Sequence, residues 1–158
     1  IFYMCEKNSK GVVVLVNKWD LVEKDQNTMV KFEAELREQL APFNDVPIIF
    51  TSAIEKQRIH KALETAMQVY ENRTRKIPTH ELNEVMLDVI AQTPPPAMKG
   101  KYIRIKFVQQ LPTHSPSVAF FCNLPQYLTD AYKRFLENRL RERFNFEGVP
   151  IRIFFRKK

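Results

Sequence analysis

The feature that most constrains the fold is a short apolar run that ends in a polar tetrad. Residues 13–16 read Val-Val-Leu-Val, and Asn17-Lys18-Trp19-Asp20 follows at once. Such a run indicates a buried strand, and open α/β sheets bind ligands at the carboxyl ends of their strands. The pattern therefore predicts a strand that carries a carboxamide, an ammonium and a carboxylate into a ligand-binding loop. A strand followed by an ordinary polar turn is the alternative interpretation.

Asp20 is the candidate for recognising a purine base. An ionised carboxylate only accepts hydrogen bonds, and its two oxygens match the N1–H and the exocyclic amine of guanine, whereas adenine has no such pair of donors. A site of this kind can discriminate against the wrong base by roughly four powers of ten. Lys18 can lay its methylene stem along the base, Asn17 can brace neighbouring loops, and Trp19 is expected to pack on the surface of its own domain.

A second strand and two helices are predicted along the chain. The turn and cap formers Asp25, Asn27 and Thr28 precede a helical stripe that runs to about Ala41, and residues 47–50 form a second apolar run. The stripe of the next helix comprises Ile59, Ala62, Leu63, Ala66, Met67 and Tyr70. The order strand, helix, strand, helix is typical of a doubly wound α/β domain.

The loops after these two strands are expected to meet at one edge of the sheet. Right-handed crossovers place the carboxyl ends of parallel strands side by side, and Thr51-Ser52-Ala53 follows the second strand. A backbone N–H near Ala53 can then donate to guanine O6 while Asp20 holds the opposite edge of the base. The two motifs together resemble the guanine-specificity loops of the Ras-like translation-factor GTPases. The resemblance implies a nucleotide-binding set of Asn17, Lys18, Asp20, Ser52 and Ala53.

Charge separates the two halves of the chain. The formal net charge is +7, and residues 1–77 hold 12 Lys/Arg against 11 Asp/Glu, whereas residues 78–158 hold 13 against 7. The second half is therefore the better candidate for contact with a polyanion. A charged run at 73–76 predicts a linker, so that the expected domains are 1–77 and 78–158.

The second half is predicted to have the element order α-β-β-α-β. The elements are a helix from Thr79, strands at 102–110 and 117–123, a helix at 129–144 and a strand at 150–157. This order is similar to that of a type II KH-like domain, an RNA-binding architecture. KH domains grip phosphates with a glycine-rich loop, and Asn123–Leu128 stands in its place here without a glycine.

Alternation along the outer strands predicts one sheet face that is basic and aromatic. Ile103, Ile105 and Phe107 are expected on one side, with Tyr102, Arg104 and Lys106 on the other, and Arg152, Phe154 and Arg156 continue the second set. The RNA-contact candidates are Arg104, Lys106, Arg152 and Arg156 on the sheet and Lys133, Arg134 and Arg141 on the helix. An ordinary solvated helix face is the alternative for the last three.

These motifs in combination closely resemble the C-terminal half of the Der (EngA) family of ribosome-associated bacterial GTPases. The most specific pieces are Asn17-Lys18-Trp19-Asp20-Leu21-Val22 and Thr93-Pro94-Pro95-Pro96. The resemblance implies an α/β fold, a truncated P-loop GTPase domain with a mostly parallel sheet, followed by an α+β KH-like domain. For the whole protein it implies tandem GTPase domains that hydrolyse GTP to GDP with Mg²⁺ in the cytoplasm. It further implies a role in late assembly of the large ribosomal subunit, with ribosomal RNA and the N-terminal GTPase domain as partners.

The chain lacks the motifs that hold the phosphates. Neither G-x-x-x-x-G-K-[ST] nor D-x-x-G occurs, so we expect no catalytic residue, no bound nucleotide and no GTP hydrolysis in this piece of a longer protein. Cys5 and Cys122 have no metal-ligand spacing, and no apolar run is long enough to span a membrane. The alternative function is a stand-alone RNA- or protein-binding module whose α/β half is a non-catalytic scaffold.

Overall fold

The computed structural model describes residues 1–23 and 27–157, so Asp25, one of the predicted cap formers, lies outside the described residues. The helices are α1 (Phe2–Lys7), α2 (Thr28–Leu40), α3 (Ile59–Thr74), α4 (Thr79–Gln92) and α5 (Asp130–Arg143). The strands are β1 (Val14–Val16), β2 (Ile48–Phe50), β3 (Ile105–Gln110), β4 (Ser117–Cys122) and β5 (Arg152–Lys157). None of the helices in the described ranges has both the length and the apolar character that crossing a bilayer requires.

The elements form two compact units. The first contains residues 1–73 together with 147–150, and the second contains residues 74–146 and the chain from Ile151 onward. The proposed domain limits of 1–77 and 78–158 differ from these units chiefly in the segment 147–150, which belongs to the first unit although it follows most of the second in sequence.

A pair of parallel strands organises the first unit. β1 and β2 pair in parallel with Val16 opposite Phe50, which confirms the predicted direction of the two strands. Helix α2 connects them, since parallel strands need a crossover connection rather than a tight turn. The buried apolar side chains of this unit include Trp19, Phe43, Val46, Ile49, Phe50, Val69 and Val149.

Only part of the surface of helix α3 packs against this core. Val69 is 4% exposed and Asn72 is fully buried, and the Asn72 side chain donates from Nδ2 to the carbonyl of Glu147 at 3.1 Å. An apolar stripe on a helix ordinarily faces a core. Three members of the predicted stripe nevertheless remain 61%, 66% and 65% exposed, namely Leu63, Met67 and Tyr70.

The segment 147–150 closes the first unit through Gly148. The carbonyl of Gly148 accepts from the N–H of Val12, and its own N–H donates to the carbonyl of Asp45, both at 2.8 Å. Gly148 has a φ of 75°, and a Cβ added there would lie 2.6 Å from Val69 Cγ2 and 2.8 Å from the Val12 carbonyl oxygen. Glycine therefore satisfies two separate requirements here, a left-handed backbone and a lack of space.

The second unit is a three-stranded sheet with two helices on one face. The strand order is β3-β4-β5, with β3 antiparallel and β5 parallel to β4, and the element order is the predicted α-β-β-α-β. Alternate residues of β4 face the helices, so that Val118, Phe120 and Cys122 pack with apolar residues of α4 and α5. Burial raises the pKa of the Cys122 thiol, against a smaller opposing effect of the Leu124 backbone.

Strand β3 contains a bulge that the alternation did not predict. The strand expected at 102–110 begins only at Ile105, and the register shifts between Ile105 and Phe107. A bulge inserts an extra residue and interrupts the period of two. Val108 is therefore fully buried, while Phe107 lies opposite Phe121 with ring centroids 5.7 Å apart. The prediction that Phe107 shares a face with Ile105 is wrong for this reason.

Amide side chains complete the outer edge of β3. Asn83 accepts from the N–H of Val108 at 2.8 Å and donates to its carbonyl at 2.7 Å. Gln110 accepts from the N–H of Ile77 and donates to the carbonyl of Arg75, both at 2.8 Å. A buried backbone group without a partner costs about 1–3 kcal/mol, so the Asn83 bonds stabilise an edge that the sheet itself leaves unpaired. The Gln110 bonds fix the chain before α4 to the end of β3.

We expect Gly148→Ala to destabilise the chain by about 2–5 kcal/mol, because left-handed strain of about 1–2 kcal/mol adds to overpacking of about 1–3 kcal/mol. Gly100→Ala is the matched control, since Gly100 has a φ of 72° but nothing within 4 Å of its added Cβ. Urea unfolding measures the loss of stability in both variants, and the difference between the two losses is the contribution of close packing at Gly148. Equal losses of stability would contradict the close packing at Gly148.

A pH-dependent loss of stability is expected from Tyr132, whose hydroxyl donates to the Thr93 carbonyl at 2.8 Å. Burial raises the pKa of Tyr132 from 10.0 to about 12. Between these values the unfolded chain releases the phenol proton and the folded chain keeps it, so the free energy of unfolding falls as the pH rises. One pKa unit corresponds to about 1.4 kcal/mol. Over this pH interval, the free energy of unfolding of the wild type should therefore fall by on the order of 2 kcal/mol more than that of Tyr132→Phe. Tyr102→Phe, at a side chain 77% exposed, should behave as the wild type.

Candidate functional site

The loops that follow β1 and β2 lie side by side. The N–H of Thr51 donates to the carbonyl of Val16 at 2.8 Å, and the N–H of Trp19 donates to the carbonyl of Thr51 at 3.0 Å. These main-chain bonds continue the parallel ladder beyond the ends of both strands. The structure thus brings together the two loops in which the sequence placed its nucleotide-binding residues.

Asn17 links one loop to the other. Its Oδ1 accepts from the N–H of Ala53 at 3.3 Å, as expected of a side chain that braces neighbouring loops. The next residue, Lys18, has a φ of 60°, and a 3-10 turn of Trp19–Leu21 follows. Asn17, Lys18 and Ala53 are all exposed. The left-handed residue turns the chain sharply after the strand, so that consecutive side chains of the tetrad point to different environments.

Trp19 is buried in the first unit. The prediction that it packs on the domain surface is wrong, because only 3% of the residue is exposed. Its ring lies 4.4 Å from the ring of Phe50 and 5.8 Å from that of Phe32, centroid to centroid. Aromatic pairs in this range add about 0.5–1.5 kcal/mol each beyond burial of area. The contact could have been predicted from the sequence, because each parallel strand is followed by or ends in an aromatic residue, Trp19 after β1 and Phe50 in β2.

Asp20 lies next to this anchor on the same turn. Its side chain is half-buried, and its carboxylate makes no hydrogen bond or ion pair with any residue in the described ranges. A carboxylate can accept several hydrogen bonds. The acceptor capacity of Asp20 is therefore available to a ligand that approaches the loop edge.

The second loop is held by its own residues. Ser52 is fully buried, and its Oγ accepts from the N–H of Glu55 at 3.1 Å. The backbone of Ser52 also pairs with that of Gln57. Arg58 donates from its guanidinium to the carbonyl of Phe50 at 3.0 Å. Ser52 thus shapes the loop from within, and Arg58 fixes the end of β2, a role for which the sequence offered no motif.

The basic sheet face is formed mainly by β5. Arg152 and Arg156 are exposed, and Phe154 between them is 41% exposed. Phe154 lies opposite Ala119 and Arg156 opposite Phe121 in the parallel ladder. Arg104 and Lys106 are also exposed, but Arg104 precedes β3 and Lys106 occupies the bulge. Phe107, displaced by the bulge, joins this face beside Phe121.

The three helix candidates differ in their surroundings. Arg134 is exposed and Lys133 is half-buried. Arg141 donates to the carboxylate of Glu137 and to the carbonyl of Phe146, both at 3.1 Å. Arg141 therefore connects the end of α5 to the chain beyond it, which is a structural role for that side chain. Within residues 1–23 and 27–157, no three His, Cys, Asp or Glu side chains are grouped closely enough to hold a metal ion.

Comparison with known proteins identifies relatives along the entire chain. The model of the KH-domain-like C-terminal region of EngA bacterial GTPase enzymes matches residues 76–156. The proteins called GTPase Der from Christiangramia forsetii and Flavobacterium psychrophilum are each 60% identical over 158 residues, which is 100% of this chain and 36% of each relative. GTPase Der from Porphyromonas gingivalis is 58% identical over 159 residues, with the same coverage. The chain spans 36% of the length of these curated relatives.

We expect Trp19→Ala to destabilise the chain by about 3–5 kcal/mol, the usual effect of removing a buried tryptophan. Leu21→Ala is the matched control, because Leu21 belongs to the same turn but is 74% exposed; its effect should stay within about 0.5 kcal/mol. Trp19 is the only tryptophan, so unfolding is followed by circular dichroism. Similar losses of stability in the two variants would argue against the anchoring role of Trp19.

Proposed function

Since this chain belongs to the EngA family of bacterial GTPases and corresponds to the C-terminal part of its members, we propose that it recognises guanine and contacts ribosomal RNA within a GTP-binding ribosome-assembly factor. The first unit supplies the guanine-specificity loops of a GTPase domain. The second unit, the KH-like half, supplies the RNA contact in late assembly of the large ribosomal subunit.

The convergence of the two strand-end loops carries the first part of this proposal. Asp20, whose carboxylate is available, accepts from the N1–H and the exocyclic amine of guanine. Lys18 lies exposed beside it and covers the base with its methylene stem. The hydrogen bond from Ala53 to Asn17, at 3.3 Å, is beyond the usual N–H···O range, so guanine O6 can share that N–H. Ser52 and Asn17 keep the loops in place.

Exposed apolar residues support the assignment of the first unit to part of a larger domain. Leu15 of β1 is 52% exposed, and Leu63, Met67 and Tyr70 of α3 are exposed still more. Large apolar patches on a soluble protein usually mark a contact surface. In this proposal, the remaining strands and helices of a GTPase domain in the longer protein cover these residues.

GTP hydrolysis belongs to the longer protein in this proposal. The glycine-rich loop and the D-x-x-G motif, which bind the phosphates and Mg²⁺ in P-loop GTPases, lie outside this chain. GTP, GDP and Mg²⁺ are cofactors of the whole protein, and the chain by itself retains only contacts to the base. We therefore expect no GTP turnover by the chain alone.

The basic sheet face is the proposed contact with ribosomal RNA. Arg152 and Arg156 offer cations for phosphates, and the partly exposed ring of Phe154 lies between them. Cations that contact phosphates contribute affinity without sequence preference, while aromatic rings can stack on unpaired bases. Arg134 and Lys133 are further candidates on α5. Docking of the same face on the N-terminal GTPase domain is the competing use of this surface.

Asp20→Asn in the longer protein tests the guanine assignment. The new amide replaces one acceptor by a donor, so GDP should bind at least tenfold more weakly, the equivalent of about 1.4 kcal/mol. Xanthosine diphosphate, which has a carbonyl in place of the exocyclic amine, should bind more tightly than before. Competition titration with labelled nucleotide measures both affinities.

Glu55→Gln provides the control for this experiment. It removes an equivalent negative charge from an exposed residue of the second loop, and it should leave both affinities unchanged. Unaltered GDP affinity in Asp20→Asn, with no gain for xanthosine diphosphate, would falsify the role of Asp20 as the base-reading residue.

A further inference from the structure

We propose that the segment 98–102, here called the basic hairpin, binds single-stranded RNA. The proposal rests on the proposed RNA contact of the KH-like half and assigns part of that contact to a surface outside the basic sheet face. The hairpin connects the end of α4 to the approach of β3, and its sequence is Met98-Lys99-Gly100-Lys101-Tyr102. Three of these five residues carry a cation or an exposed aromatic ring.

The basic hairpin has a defined shape. Met98 and Lys101 exchange two backbone hydrogen bonds, at 3.1 and 3.0 Å. The two residues between them, Lys99 and Gly100, have φ values of 51° and 72°, and positive φ at both central positions is the requirement of a type I′ turn. The turn therefore presents Lys99 at its tip and Lys101 at its base, both exposed.

The hairpin is fixed to the loop that replaces the glycine loop of KH domains. Asn123 donates from Nδ2 to the carbonyl of Tyr102 at 3.1 Å, and its Oδ1 accepts from the N–H of Arg104 at 2.8 Å. Lys101 Nζ lies 5.6 Å from the centroid of the Tyr127 ring, within the range of a cation–π contact. The loop that lacks glycines is thus joined to a second element that carries cations and aromatic rings.

No ion pair among the described residues balances the charge of the basic hairpin. No acidic residue occurs in the sequence between Asp88 and Asp130, and no carboxylate of the described residues forms an ion pair with Lys99 or Lys101. Lysines in this setting attract phosphates, and the attraction depends steeply on salt. A surface of this charge fits a polyanion better than it fits a neutral partner.

Tyr102 points to a single strand as the polyanion. Its side chain is 77% exposed, so that one face of the ring is open to a base, and stacking of this kind does not depend on sequence. Bases in a duplex are already stacked on each other, whereas unpaired bases offer their faces to aromatic side chains. The combination of an exposed ring with adjacent lysines therefore favours unpaired RNA over a duplex and over an acidic peptide.

The test uses the 158-residue chain and a short fluorescein-labelled oligouridylate, with binding followed by fluorescence anisotropy. Tyr102→Ala should weaken binding roughly fivefold or more, whereas Tyr102→Phe, which keeps the ring, should bind as the wild type. The double variant Lys99→Ala with Lys101→Ala should bind with a weaker salt dependence. The slope of log affinity against log salt concentration should become smaller in magnitude by roughly 0.7 for each phosphate that the protein no longer neutralises. Arg104 stays unchanged, because it adjoins both the hairpin and the sheet face.

Two double variants serve as controls. Lys31→Ala with Lys61→Ala removes the same charge from exposed helical positions of the first unit and should not alter binding. Arg152→Ala with Arg156→Ala tests the sheet face in the same assay. Melting temperatures near that of the wild type establish that each variant is folded.

The outcomes separate the two proposals. Loss of binding in the hairpin variants, with normal binding by Lys31→Ala/Lys61→Ala, supports the inference. Loss of binding only in Arg152→Ala/Arg156→Ala overturns the hairpin and leaves the sheet-face contact in place, while absence of binding by the wild type at low salt overturns both. Tighter binding of a duplex RNA, or equal competition by polyglutamate, also overturns the proposed preference for single-stranded RNA.

Discussion

The parallel pairing of β1 with β2 is the constraint on which the proposed guanine site depends. Because the ladder continues through Thr51 and Trp19, the positions of both loops are set by main-chain hydrogen bonds. A slip of one residue would exchange the faces of every side chain and would separate Asn17 from Ala53. The buried residues Trp19 and Ser52 hold this register together with Arg58, which bonds to the end of β2. The side chains of Lys18 and Asp20 are not needed for this purpose. In the same short loops, some residues hold the backbone in place, while their neighbours have side chains that a ligand can contact.

Local patterns in the sequence account for the elements but not for their irregularities. The apolar runs before Asn17 and Thr51 located both parallel strands, because a strand end is defined by the change from apolar to polar residues. The burial of Trp19 depends on Phe32 and Phe50, which lie elsewhere in the sequence, so periodicity around the tetrad carries no information about it. The bulge at Lys106 likewise depends on how β3 pairs with β4. Alternation assumes an uninterrupted period of two and therefore assigned Phe107 to the wrong face.

The KH-like half shows how amide side chains can secure an edge strand. Asn123 and Asn83 bond to backbone groups before and within β3, and Gln110, at the end of β3, bonds to the backbone before α4. Amides suit this role because each carries a donor and an acceptor and can satisfy both backbone groups of one residue. They have no periodic signature, so no pattern in the sequence predicts these hydrogen bonds. Since neutral groups hold the strand, the lysines and arginines around it remain exposed.

The return of residues 147–150 to the first unit has a consequence for synthesis. A chain leaves the ribosome from its N-terminus, and domains generally fold as they emerge. Here Val12 and Asp45 emerge before the second unit is made, but their partner Gly148 is made only after α5. The first unit therefore reaches its final set of hydrogen bonds only after most of the second unit has been made. A gene cut after residue 77 would encode a first unit that never receives its closing segment.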